Sequence, residues 1–158
     1  MIKKIALLIL CLSFLALPMA AYSQSFQHVE SLFDLRTQIG AQGDVLPEAI
    51  KASRGNDVRT LERIFELNTS ALVTIEAYFR IFKISLSAET VTEESISILN
   101  EWLSFIKNQC SYDILYLNQA LKESPNDSVA KNIETSLTNI KKLSEIATNG
   151  IQENKNFL

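Results

Sequence analysis

The chain has 158 residues, 47% of them hydrophobic, with 15 basic and 18 acidic side chains. That length supports one domain with a real core rather than two, and four glycines with three prolines leave too little turn chemistry for a protein of many short strands. The acidic balance argues against nucleic-acid binding, which needs a concentrated basic surface to neutralise phosphates.

Residues 1–23 read as a cleavable secretory signal peptide. Lys3 and Lys4 supply a basic start, Ile5 to Leu17 is an apolar run, and Pro18 to Ser23 offers small residues. Ala21 and Ser23 fit the third and first positions before a cut ahead of Gln24; a cut after Ala20 or Ala21 is also compatible. The apolar run is well short of the roughly 20 residues that span a bilayer as a helix, so no stable membrane span is expected after cleavage. Cys11 does not mark a lipid anchor, because Leu10 stands before it and the apolar run continues past it. Loss of Lys3 and Lys4 leaves 13 basic against 18 acidic residues, a net charge near −5. The protein is therefore expected to be exported to a periplasm or outside the cell, and the compact signal fits a bacterial protein.

Residues 24–152 are expected to form a helical bundle domain. Phe26, Val29, Leu32, Phe33, Leu35 and Ile39 mark the buried side of a first helix. Two glycines in the run Gly40 to Gly43, each costing about 1 kcal/mol inside a helix, predict a bend or break. Pro47 suits the first turn of a short second piece, and Gly55 is placed to end it in the left-handed conformation. These two pieces together form one broken arm.

Asn56 or Asp57 can cap the next helix. From Val58 to Leu86 a seam of Val58, Leu61, Phe65, Asn68, Leu72, Ile75, Phe79, Phe82 and Leu86 is widened by Ile64, Leu67, Ala71, Thr74, Tyr78 and Ile81, which predicts a central helix with neighbours on more than one side. Thr90 and Glu93 form a capping box for the following helix. Its inner row is Ile96, Leu99, Leu103, Ile106, Cys110, Ile114, Leu117 and Leu121. Ser124, Pro125 and Asp127 predict the start of a last helix that buries Val129, Ile133, Leu137, Ile140, Leu143 and Ala147. Asn149 and Gly150 are expected to stop or fray it, leaving residues 153–158 as a mobile tail. Short connections between long helices favour antiparallel neighbours, so the expected fold is all-α, an antiparallel up-and-down four-helix bundle with its first arm broken near Gly40–Gly43. A helical-repeat solenoid would need a fixed period, and none is present.

Few residues offer chemistry, and no motif assigns the chain to a family. His28 is the sole histidine and is expected to be a surface or partly packed residue rather than a catalyst. A di-iron bundle needs repeated Glu-x-x-His, and covalent haem needs Cys-x-x-Cys-His; neither is written here. Met1 and Met19, the only methionines, lie in the signal. Glu89, Glu93 and Glu94 surround a helix start, where capping and the helix dipole account for them without a metal. The sequence therefore predicts a non-enzymatic protein with no cofactor and no metal.

Cys110, the one cysteine left after cleavage, is expected in the inner row as a buried apolar side chain; exposed, it would be a free thiol open to disulfide-linked dimerisation. Asn68 either turns outward or pairs across the core to set register. Asn68 and Asn126 both match a glycosylation acceptor, with Asn126 the more accessible. Phe65, Tyr78, Phe79, Phe82, Trp102, Phe105, Tyr112 and Tyr116 fall on the two longest helices. Such stripes are usually core, but they would also serve as an apolar ligand cavity or a partner surface. The leading expectation is a protein partner or a homo-oligomer; the alternative is a carrier or sensor of a small apolar ligand.

Overall fold

The structure is a computed structural model and describes residues 26–86, 91–123 and 126–157. Within them lie four helices, α1 (Gln27–Ala52), α2 (Asn56–Leu86), α3 (Glu93–Glu123) and α4 (Asp127–Asn154), with a short 3-10 turn at Lys155–Phe157. The expected signal segment, Glu89, Thr90, Ser124 and Pro125 lie outside the described residues. The protein is an all-α four-helix bundle. Helices α2 and α4 each pack against all three others.

Each helix presents one row of inward side chains at alternating steps of three and four. These are His28, Leu32, Leu35, Ile39, Gln42 and Leu46 on α1, and Leu61, Ile64, Asn68, Ala71, Ile75 and Tyr78 on α2. On α3 they are Ile96, Leu99, Leu103, Ile106, Cys110, Asp113 and Leu117. On α4 the row is Val129, Ile133, Ser136, Ile140, Leu143, Ala147, Gly150 and Asn154. A repeat of this kind keeps one seam of each helix facing its neighbours along the bundle.

The α2 seam is rotated from the expected one. Leu61, Asn68 and Ile75 belong to it as anticipated, but Ile64, Ala71 and Tyr78 are buried while Phe65 is exposed and Leu72 and Phe79 are half-buried. On α3, Asp113 rather than Ile114 continues the inner row. Asn68 faces inward, its amide oxygen accepting a 2.6 Å hydrogen bond from the Ser136 hydroxyl of α4. That buried position also removes Asn68 as a glycosylation acceptor, whereas Asn126 is exposed.

The first arm is not broken. Helix α1 runs without interruption through Gly40, Gly43 and Pro47. Burial of Leu32, Leu35, Ile39 and Leu46 on one face outweighs the glycine penalty, since each fully buried aliphatic side chain contributes about 1.5–3 kcal/mol. Pro47 lies on the exposed side, where the carbonyl that loses its helical donor at Gly43 is within reach of water. The chain turns instead at Gly55, whose φ of 60° is the left-handed conformation expected there.

Helix starts also differ in detail. Thr92 accepts from the Ser95 amide at 3.1 Å at the start of α3, and Asn126 caps α4 by accepting from the Ser128 amide at 2.9 Å. The expected stop at Asn149 and Gly150 is absent: α4 continues to Asn154, which is buried. Glu153 and Asn154, expected to begin a loose tail, are part of the packed bundle. Gly150 sustains the helix because its missing side chain leaves room for a neighbouring ring.

Gly40 and Gly43 face open space, so alanine at either position meets no obstacle. Gly40→Ala and Gly43→Ala should each raise unfolding free energy by about 0.5–1 kcal/mol, read from urea denaturation monitored by circular dichroism.

Candidate functional site

The polar residues converge at the end of the bundle where α1 begins and α4 stops. His28, in the first turn of α1, is 2% exposed rather than on the surface as its position suggested. Its Nδ1 lies 2.6 Å from Glu153 Oε2 on α4 and its Nε2 lies 2.7 Å from the Tyr78 hydroxyl on α2. Glu153 Oε2 is already an acceptor for the His28 backbone amide, so in the neutral ring Nδ1 carries the proton and Nε2 accepts from Tyr78. The same Glu153 oxygen accepts from the His28 backbone amide at 3.2 Å. Phe26 precedes α1 and has no capping oxygen, so a carboxylate from the opposite end of the chain caps this helix.

Packing holds the imidazole from the remaining sides. The edges of Phe26 and Phe82 meet it with ring centroids 5.8 and 6.3 Å away. A Cβ on Gly150 would stand 2.8 Å from the ring carbons and 2.9 Å from the Leu103 side chain. Only glycine leaves the ring its place. Beside this cluster the Asn154 amide donates to Asn100 Oδ1 at 2.8 Å, linking α4 to α3, while the buried Asn154 Oδ1 has no partner among the described residues.

Burial lowers the pKa of His28 and outweighs the opposing effect of the Glu153 hydrogen bond and charge. Burial, with the Glu153 charge, also raises the pKa of the Tyr78 hydroxyl, which keeps it a proton donor. A carboxylate that orients an imidazole toward a hydroxyl is an arrangement used in proton transfer. Here Tyr78 is fully buried and His28 nearly so, and none of four open surface grooves of about 430–550 Å³ is lined by either residue or by Glu153.

The eight aromatic residues singled out from the sequence do not form one site. Tyr78 and Phe82 belong to the His28 cluster, and Phe82 meets Phe26 edge to face at 5.0 Å. Phe79 packs against Phe33 of α1 at 6.1 Å. On α3, Trp102 is half-buried against Phe105, their ring centroids 5.8 Å apart. Phe105 is 52% and Tyr112 is 71% exposed. Tyr116, partly exposed, lies under the Arg63 guanidinium, and Phe65 is exposed on α2. Ile98, Trp102, Phe105, Tyr112 and Tyr116 share one face of α3 by their spacing of four, three, seven and four.

Cys110 is buried and free. Burial first, then the nearby Asp113 charge, pushes its thiol up to about 12, so it stays protonated and packs as a small apolar group. Asp113 itself is raised by burial, opposed by the Gln109 hydrogen bond and by Arg63.

His28, Gln42, Asp113, Ser136, Gly150, Glu153 and Asn154 were not anticipated as interior or bonded positions. For most of them a signal existed, because the three-four rows run through His28, Gln42, Asp113, Ser136, Gly150 and Asn154. Glu153 lies beside its row, and only the meeting of the two chain ends gives it a partner.

Comparison with protein families, with curated proteins and with solved structures yields no match. The class defined by fold and site is a four-helix bundle with a closed core, a polar cluster where its first and last helices meet and an aromatic face on its third helix.

Gly150→Ala would gain about 1 kcal/mol of helix propensity but must displace a ring held by Tyr78, Glu153, Phe26 and Phe82. Overpacking of this kind costs about 1–3 kcal/mol, so a net loss of stability is expected in urea denaturation, opposite in sign to alanine at Gly40 or Gly43.

Proposed function

We propose that this protein is an exported, non-enzymatic helical bundle that acts by binding another protein or a second copy of itself through the outer face of α3. The observation that carries this reading is the aromatic row on that face, with Phe105 and Tyr112 exposed and the neighbouring Leu115 69% exposed. Large aromatic side chains on one helix face supply contact area at little cost in rotamer entropy, as binding surfaces require. The inner rows are already occupied by the bundle's own contacts, so these residues are left for an external partner. Export rests on the pattern of residues 1–23.

The alternative, a carrier or sensor of a small apolar ligand, has less support. The aromatics divide between the His28 cluster and the α3 face, and none of the four grooves has more than one aromatic in its lining. A bound apolar molecule would need a more enclosed and more uniformly apolar site.

Native mass spectrometry of protein purified from its own compartment tests this reading. The expected species is an assembly of chains beginning at Gln24, or at Ala21 or Tyr22 for the other cleavage positions. The double variant Phe105→Ser, Tyr112→Ser should weaken that assembly about tenfold or more without loss of helix content by circular dichroism. A monomer that retains a lipid-like molecule would replace the partner reading with the carrier reading.

A further inference from the structure

The hydrogen bonds that join His28 to Tyr78 and Glu153 are all satisfied only while the ring is neutral. Tyr78 donates to Nε2 and Nδ1–H donates to Glu153, which gives both ring nitrogens a partner. A second proton would occupy Nε2 and turn it from acceptor to donor. The Tyr78 hydrogen would then need a new acceptor, and among the described residues this fully buried hydroxyl has no other hydrogen-bond partner. The ring cannot shift toward water, because Gly150, Phe26 and Phe82 close around it. Among the described residues, Glu153 of α4 is the one charged group bonded to it. The other groups packed on the ring are Tyr78 and Phe82 of α2 and Phe26 ahead of α1; α3 contributes the apolar Leu103 side chain at the same notch.

We propose that the His28–Tyr78–Glu153 cluster is a proton-operated latch: proton uptake by His28 favours a state in which the first turn of α1 and the last turn of α4 part, uncovering Phe26, Tyr78 and Phe82. The two segments are the ends of the packed helices, and terminal turns open at lower free energy than the middle of a bundle. Opening lets the imidazolium reach water and frees the Tyr78 hydroxyl to bond there. It also uncaps α1, since Glu153 serves both the ring and the His28 amide. The uncovered aromatic surface is continuous, with Tyr78 and Phe82 6.1 Å apart and Phe82 against Phe26. The latch does not depend on the identity of any partner.

The direction with pH follows from linkage. An exposed imidazole takes up its proton around pH 6.5, and the buried ring does so only at lower pH. Between those two values the open state binds more protons than the closed one, so its share rises by up to about tenfold per pH unit as pH falls. Above about pH 6.5 the latch is closed, and below the titration of the buried ring the gain stops.

Hydrogen exchange of the purified protein, read by mass spectrometry at about pH 7.5 and about pH 5.5 and corrected for intrinsic exchange, tests the latch. Amides of the first turn of α1 and the last turn of α4 should lose up to about tenfold in protection at the lower pH, with helix content by circular dichroism unchanged. His28→Gln, which keeps a polar side chain but cannot titrate, should remove that response. Unchanged protection in the wild type, the same response in His28→Gln, or loss of the whole fold over that range would each overturn the proposal. Because His28 is the only histidine, its ring proton signal is directly assignable by NMR in the wild type. A midpoint below 6.5 accompanied by movement of the Tyr78 ring signals is expected; a midpoint at or above 6.5, or a silent Tyr78, would reject the latch even if the variant does not fold.

Discussion

One carboxylate ties the beginning of this bundle to its end. Glu153 accepts from both the backbone amide and the ring of His28, across 125 residues of sequence. The first turn of α1 needs an acceptor for its free amide, and the Phe26 side chain at its N-cap supplies none. Placing α4 beside α1 therefore satisfies a backbone donor, orients an imidazole and closes the ring of helices in one contact. The rest of the cluster follows from that placement, because Tyr78 reaches Nε2 only if the ring is held upright by Glu153 and left space by Gly150.

Polar pairs elsewhere in the core repeat this logic at lower stakes. Helix α4 supplies one member each time, Asn139 to Gln42 of α1, Ser136 to Asn68 of α2 and Asn154 to Asn100 of α3. Apolar rows alone would allow a helix to slide by a heptad with small loss, whereas a displaced polar pair leaves two groups buried without partners. Each unmade bond of that kind costs about 1–3 kcal/mol. The last helix thus acts as a ruler against which the other three are set. The pairing is incomplete, since Asn68 Nδ2 and Asn154 Oδ1 are buried without partners among the described residues, and those two atoms weaken the contacts they belong to.

Two surfaces with different physical character result. The face of α3 that carries Phe105 and Tyr112 is aromatic and exposed in the folded bundle. The aromatic group of Phe26, Tyr78 and Phe82 is enclosed and held shut by hydrogen bonds that depend on one ring's protonation. On the proposed binding reading, the first surface is always available and the second is conditional.

The sequence by itself determined the all-α class, the four arms and their antiparallel order, because the three-four spacing of apolar residues and the scarcity of turn chemistry depend only on local order along the chain. The interior fate of Cys110 and nearly all apolar core positions were legible for the same reason. Three local expectations failed where packing opposed propensity: the glycines of α1, the rotated seam of α2 and the end of α4. At the glycines of α1 and at the end of α4, burial on one face outweighed about 1 kcal/mol of intrinsic preference; on α2 the packing chose between two adjacent apolar rows. Only the tertiary structure decided which polar residues meet. His28 and Glu153 are ordinary side chains in the sequence, and their partnership comes from an antiparallel arrangement that brings the start of the first helix beside the end of the last. Asn68 and Ser136 each lie on a three-four row, but that the two meet was decided by the packing of α4 against α2. Hydrogen bonds between distant residues carry little local trace, since what specifies them is the geometry of the assembled bundle.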